Sequence, residues 1–235
     1  MRKVLISDYD QTFYVNDEDI EVNKKMVQEF RNDGNLFVIA TGRSFMDLQK
    51  KVKQYDLKYD YAILDHGAMI LDGKNNVIFN AYIEPKIIND IKENLCLEKS
   101  ISYFCCSLFE SRVDFEHENL TKIDVKYSNK EDAWNINEYI NKKYGEYVNS
   151  YFLSSNAIEI ISNKTNKSYA IKYLLKFLKI EDKSNVYTIG DGYSDIDMIK
   201  DFDGYCMEES VPELKKCTNK SVKSVSELIK IIIEE

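Results

Sequence analysis

Apolar positions follow two different rhythms along this chain. Near both ends, short unbroken apolar runs take turns with stripes at helical spacing. Lys3-Val4-Leu5-Ile6-Ser7, Leu36 to Ala40 and Tyr61 to Leu64 read as strands covered on both faces. Between them, Val22, Met26 and Phe30 form one helical stripe, closed by Asn32-Asp33-Gly34 with Gly34 as a C-terminal cap. Ser44 caps a second helix whose stripe is Phe45, Leu48, Val52 and Tyr55. Asp72-Gly73 marks a small hairpin.

Beyond Tyr82 the rhythm changes. A helix through Ile87, Ile91 and Leu95 leads into strand-like segments at Ile101–Cys106, Arg112–Phe115 and Lys122–Lys126. A helix near Ala133–Lys143 and strands at Tyr151–Leu153 and Ile158–Ile161 follow. Runs of strands with few helices point to an antiparallel α+β module. Alternation returns after Asn163. A helix carries Ile171, Leu174, Leu175 and Leu178; Val186–Ile189 is a strand; Asp195–Lys200 is helical; Tyr205-Cys206-Met207 is a short strand. The last helix has a capping box of Ser224 with Glu227 and a stripe of Val225, Leu228, Ile229 and Ile232. The expected class is α/β: a Rossmann-like parallel-sheet core from residues 1–82 and 164–235, interrupted by an inserted α+β module at 83–163, which the family resemblance drawn below implies is a cap domain.

Composition narrows the partners. The 235 residues, 44% hydrophobic and 31% charged, are a globular rather than a disordered chain. A monomer of this size buries about 70% of its unfolded surface, so no disulfide or metal staple is needed to fold. An excess of Asp and Glu (40) over Lys and Arg (32) argues against a general nucleic-acid or anionic-membrane binder. The first apolar run is too short for a signal peptide and no stretch approaches a membrane span, so the expected location is the cytoplasm. Cys96, Cys105, Cys106, Cys206 and Cys217 show no zinc or CxxC spacing and read as reduced thiols serving as small hydrophobes. Oligomeric state is left open, with a monomer as the simplest form.

Four segments can do chemistry, and each falls where a core strand should end, the place where open α/β sheets build their sites. Asp8-Tyr9-Asp10-Gln11-Thr12 sets two carboxylates one residue apart. Close carboxylates repel and need a cation or a shared proton. That division suits covalent phosphoryl transfer, with Asp8 attacking phosphorus and Asp10 supplying a proton. Ala40-Thr41-Gly42-Arg43-Ser44 puts a hydroxyl and backbone N–H groups at a helix start, a phosphate-binding corner. Lys167 lies four residues before Ile171 on a buried stripe, where a lysine is unfavourable unless it meets an anion. Gly190-Asp191-Gly192-Tyr193-Ser194-Asp195 offers carboxylate oxygens, the ligands Mg²⁺ prefers. Taken singly, each has a plain alternative: a solvated acidic loop, a helix cap, a surface lysine, an Asp-rich turn.

In this order the segments resemble the four motifs of the haloacid dehalogenase superfamily, specifically its Cof-type subclass IIB phosphatases, and the resemblance covers the whole chain. It implies that Asp8 is a nucleophile forming an aspartyl-phosphate, and that Asp10 is general acid and then general base. Thr41, with Gly42 and Arg43, would hold the transferring phosphoryl group, and Lys167 would neutralise Asp8. Mg²⁺ would be bound by Asp8, the Asp10 backbone carbonyl, Asp191 and Asp195, the last directly or through water. The sequence departs from the family at Gln11 (usually Gly), at Ser194 (usually Asn), at Asp65-His66-Gly67-Ala68 and at Glu208-Glu209-Ser210. His66 is either a residue of the site's edge or a hydrogen-bonded structural histidine.

The expected function is a Mg²⁺-dependent phosphatase acting on a small phosphorylated metabolite, a sugar phosphate being the favoured class. A phosphohexomutase-like transfer, a phospho-accepting signalling domain and a non-catalytic phosphate-binding protein are the competing readings. Tyr103, Phe104, Phe109 and Trp134 of the insert are candidates to face the site, with core packing expected for most of them.

Overall fold

The computed structural model of the protein describes residues 2–234. Its larger sheet has eight strands in the order β13-β12-β11-β1-β2-β3-β4-β5. These are β1 (Val4–Ser7), β2 (Leu36–Ala40), β3 (Tyr61–Leu64), β4 (Met69–Asp72), β5 (Val77–Asn80), β11 (Val186–Gly190), β12 (Tyr205–Met207) and β13 (Ser221–Val222). The sheet is parallel from β13 to β3, with β4 and β5 an antiparallel hairpin at one edge. Strand β1 lies between β2 and β11, where the chain's order reverses, so the site-forming crevice is set at its carboxyl end.

Alternation along each strand divides the core in two. Leu5, Phe37 and Ile39 pack on one face with α1 (Asp17–Asn32), α2 (Phe45–Tyr55) and α8 (Val225–Glu234). Val4, Ile6, Val38 and Ala40 pack on the other with α5 (Lys167–Phe177) and α6 (Ile196–Asp201). The core strands expected from the sequence form within one residue of their expected ends.

A second, five-stranded antiparallel sheet has the order β7-β6-β8-β10-β9. Its strands are β6 (Ser100–Ser107), β7 (Glu110–Val113), β8 (Lys122–Tyr127), β9 (Val148–Leu153) and β10 (Ala157–Ser162). Helices α3 (Pro85–Asn94) and α4 (Lys130–Tyr144) cover one face, burying Cys105, Ile123, Val125, Tyr127, Ile158 and Ile160. The opposite face turns toward the carboxyl end of the larger sheet.

Three details differ from the sequence reading. Asn16 caps α1 and sets its phase so that Ile20, Asn23, Val27 and Phe30 face inward. Val22, two residues or about 200° from Ile20, is exposed and Met26 only half-buried. The capping box at the last helix is half-formed: the Ser224 hydroxyl accepts from the Glu227 N–H, but the Glu227 carboxylate accepts from Lys223 rather than from Ser224. Tyr103, Phe109 and Trp134 are each about two-fifths or more exposed instead of packed in a core. Tyr103 lies on the outer stretch of β6, Trp134 on α4 packs edge-on against Phe152, and Phe109 in the β6–β7 turn leaves its own sheet to meet Phe45 of α2 edge-on, ring centres 4.9 Å apart. The five cysteines form no disulfide. Among the described residues no helix is long and apolar enough to cross a membrane.

Asn23 shows how tightly the α1 face is fixed. Its amide donates to the Phe13 carbonyl at 2.9 Å, and its side-chain oxygen accepts from the Ser226 N–H at 2.9 Å. Asn23→Ala strands two buried backbone groups and is expected to cost about 2–4 kcal/mol. In urea unfolding the midpoint should fall with the slope unchanged; an unchanged midpoint refutes this role.

Candidate active site

The site begins where β1 runs out. The Asp8 N–H donates to the Ile189 carbonyl at 2.9 Å, which draws Asp8 alongside the end of β11. Residues 8–14 then close a tight loop, with Phe13 N–H bonded to Asp8 O and Tyr14 N–H to Tyr9 O. Gln11 takes a left-handed backbone (φ 61°), which explains the glycine that the family pattern carries here. A side chain at that angle costs about 1–2 kcal/mol.

Lys167, the first residue of α5, is buried and donates from Nζ to Asp8 Oδ1 and to Asp195 Oδ1, both at 2.6 Å. The other Asp195 oxygen accepts the N–H groups of Asp191 and Gly192 at 3.0 and 2.9 Å. Gly190 makes this possible: a Cβ there would lie 2.5 Å from the Asp195 carboxyl carbon. Asp191 is held by the Thr12 hydroxyl, which donates to Oδ1 at 2.8 Å. Ser210 donates to the Gly190 carbonyl at 3.3 Å, and the Val211 N–H to the Asp191 carbonyl at 3.0 Å. The departing segment Glu208-Glu209-Ser210 thus still braces the turn.

Electrostatics follow from this crowding. Burial pushes the Asp8 carboxyl well above its ordinary value, against the pull of Lys167. Burial and then Asp195 push Asp191 up to about 6, with the Thr12 hydroxyl opposing. Burial works against the Lys167 ammonium, but Asp195 and Asp8 outweigh it and raise Lys167. Three carboxyls share one cation. Asp8, Asp191 and Asp195 each offer an oxygen within 4.8 Å of the others. An all-oxygen donor set short of positive charge fits a hard divalent ion such as Mg²⁺.

The remaining candidates divide. The Asp10 carboxylate stands outside this group, its side chain 47% exposed. Both its oxygens accept from the Arg43 fork at 2.7 Å, and the Arg43 guanidinium lies over the Tyr9 ring, 5.3 Å from its centre. Arg43 and Asp10 therefore hold each other. Thr41 is buried at the end of β2, its hydroxyl accepting from the Arg43 N–H at 3.1 Å. Gly42 is packed hard: a Cβ there would meet the His66 ring at 2.4 Å. Its carbonyl accepts from Lys122 Nζ at 2.5 Å. Lys122, Glu159 and the Thr12 hydroxyl were given no role in the sequence reading. For Glu159 the available signal was a charged residue alone within an apolar strand; Lys122 carried none, since it alternates with Asp124 and Lys126 as on a solvated face.

A sequence profile of the haloacid dehalogenase-like hydrolase family matches residues 5–111 and 107–228. The chain belongs to this family. Curated relatives match over most of their length. A protein of Buchnera aphidicola, provisionally named a phosphatase, is 26% identical and covers 96% of each chain. Among solved structures, a haloacid dehalogenase-like hydrolase from B. subtilis superposes with a TM-score of 0.84 at 17% identity, covering 98% of this chain and 99% of that one. The sucrose-phosphatase of Synechocystis, in complex with sucrose and phosphate, superposes with a TM-score of 0.74 at 20% identity over 100% and 98%. These likenesses carry the fold of this hydrolase: a Rossmann-like sheet with a cap.

If the acid cluster of this hydrolase binds Mg²⁺, the ion stabilises the native state. At one hundred times its dissociation constant the gain is about 2.7 kcal/mol. Thermal unfolding should rise accordingly with Mg²⁺ in the wild type and not in Asp191→Asn. An equal rise in both places the ion elsewhere.

Proposed function

We propose that this hydrolase is a Mg²⁺-dependent phosphatase that cleaves a small phosphorylated metabolite, a sugar phosphate by preference, through an aspartyl-phosphate on Asp8. The observation that carries the reading is the buried Lys167 bridge between Asp8 and Asp195, with Asp191 within ligand reach. The sugar-phosphate class draws support from the fold shared with the sucrose-phosphatase. The second sheet and its two helices, residues 83–163, act as the cap, and the protein works in the cytoplasm.

An aspartate is a poor nucleophile toward a phosphate dianion because like charges repel. Lys167 offsets that repulsion from one side of Asp8. Mg²⁺, held by Asp8, the Asp10 carbonyl and Asp191 with Asp195 behind them, would neutralise charge on the phosphoryl oxygens. An Asp8 oxygen attacks phosphorus and the bond to the leaving oxygen breaks, with Asp10 giving that oxygen a proton. Water then attacks the phosphorus of phospho-Asp8, its proton goes to Asp10, and Asp8 is restored as inorganic phosphate leaves. For Asp10 to serve a leaving group, the Arg43 fork must release at least one of its oxygens, and that oxygen must take up from solvent the proton it then gives. An arriving phosphate offers Arg43 a second bidentate partner, so binding of substrate and freeing of Asp10 are one exchange.

Phosphate release from p-nitrophenyl phosphate with Mg²⁺ is the direct test. Lys167→Met is expected to lose about 10²–10³-fold in kcat. Asp8→Asn should fall to the uncatalysed background. Wild-type turnover no faster than Asp8→Asn leaves only a phosphate-binding role.

A further inference from the structure

The core-facing side of the five-stranded sheet carries charge where a covered face is ordinarily apolar. In β8 the residues alternate, so Ile123, Val125 and Tyr127 enter the core beneath α3 and α4 while Lys122 and Asp124 point the other way. Glu159 stands directly across from Asp124 on β10 and shares that face. Lys122 and Glu159 are both almost fully buried. Lys122 Nζ donates to Glu159 Oε1 at 2.6 Å and to the Gly42 carbonyl at 2.5 Å. The second Glu159 oxygen pairs with His66 Nε2. Just before Lys122, the Thr121 hydroxyl donates to Asp65 Oδ2 at 2.8 Å.

The receiving loop is strained and well connected. Asp65 and His66 are both left-handed (φ 46° and 54°), and Gly67 follows at 109°. Consecutive non-glycine residues at such angles persist only when their surroundings hold them. The Asp65 N–H donates to the Arg43 carbonyl at 3.1 Å and the His66 N–H to the Thr41 carbonyl at 3.0 Å. The Gly67 carbonyl accepts from the Thr165 hydroxyl at 2.7 Å, two residues before Lys167. One short loop thus touches the Thr41–Arg43 segment, the approach to Lys167 and the second sheet.

We propose that Lys122, Glu159 and His66 form a latch that seats the cap on the Thr41–Arg43 loop, which makes Lys122 and Glu159 positioning residues for phosphoryl transfer although both belong to the cap. Its kinetic arm rests on the phosphatase reading above. Two features make the contact a latch rather than a rivet. A buried ion pair gives back in Coulomb energy little more than it loses in desolvation, so this contact itself adds little to the cost of lifting. The seated state also leaves two buried polar atoms without a hydrogen bond, His66 Nδ1 and Asp65 Oδ1, the latter 3.7 Å from Lys122 Nζ. Burial lowers His66, so the neutral ring donates from Nε2 and its Nδ1 is left as an unmet acceptor. Lifting the cap returns both atoms to water. The two connecting segments, 81–84 and 163–166, run side by side and are tied by Lys164 to Glu84 at 3.0 Å on the surface.

The test uses the full chain as wild type, as Lys122→Met/Glu159→Gln, which removes both buried charges together, as Lys122→Arg, and as His66→Asn. Asparagine tolerates the left-handed backbone but is too short to reach Glu159. Tryptic cutting after Lys164 and chymotryptic cutting after Tyr82 report lifting of the cap without any need for turnover. Cutting is expected to be about tenfold faster or more in the double variant and in His66→Asn, while urea midpoints show the fold intact. With p-nitrophenyl phosphate and Mg²⁺, kcat should fall about tenfold or more with KM changed less than about threefold, and Lys122→Arg should recover most of it. A purely structural pair moves the urea midpoint and leaves kcat and the cutting rates alone, and that result overturns the proposal. Should the double variant fail to fold, His66→Asn decides by the same criteria. Wild type without turnover defeats the phosphatase reading, and the latch then stands or falls on the cutting rates.

Discussion

A single buried ammonium organises the catalytic half of this protein. Lys167 sits almost out of water at the start of α5, where the helix dipole opposes it, and only two carboxylates at 2.6 Å make that place tolerable. Those carboxylates come from chain segments far apart in sequence, the end of β1 and the turn after β11. The sheet order puts β1 and β11 side by side, and Gly190 lets the Asp195 carboxyl slide beneath the strand end. Lys167 is therefore the fastener on which the convergence depends. With it neutralised, Asp8 and Asp195 are left as buried, mutually repelling acids and Asp191 loses a flanking positive charge.

Charge around this fastener is deliberately uneven. The inner group has three carboxyls for one ammonium, a deficit that a divalent cation meets. The outer pair, Arg43 with Asp10, is balanced and half in solvent. An inner group short of positive charge attracts a cation whether or not substrate is present. In the proposed reaction the outer pair instead exchanges partners when a dianion arrives. In the proposed mechanism metal retention and proton transfer would thus fall to separate sets of side chains, with Asp8 and Asp10 of one loop divided between them.

Most of the fold was legible because strand ends and helix starts are written locally. Apolar runs such as Leu36–Ala40 and Tyr61–Leu64 match their strands residue for residue. The inner group was legible for a related reason: its members sit at strand ends and helix starts, where sequence position nearly fixes spatial position. What the sequence hid depends on pairing. Helix phase in α1 turned on the Asn16 cap and the bridging Asn23, a polar residue that no apolar stripe would include. Arg43 and Asp10 were assigned separate partners, yet they satisfy each other across the crevice. Lys122 and Glu159 lie within segments that read only as strands, with nothing local to say what their outward faces meet. Which residue a buried charge meets is a matter of sheet register, and that is a tertiary fact.

The two sheets also differ in what they need from each other. The group around Lys167 is complete within the eight-stranded sheet and its helices; no residue of the second sheet donates to it. The Thr41–Arg43 loop is different. Its Gly42 carbonyl finds its donor on Lys122, and its shape is pressed in place by the His66 ring that Glu159 holds. The acid cluster and its lysine thus need no contact from the second sheet, whereas the Thr41–Arg43 loop, which on the proposed reading receives the phosphoryl group, is completed by it. Such a division keeps the reactive carboxylate and its counter-charges permanently assembled. In the proposed reaction it would leave the last step of assembly, and with it the exclusion of water from the transfer, to the second sheet and its helices.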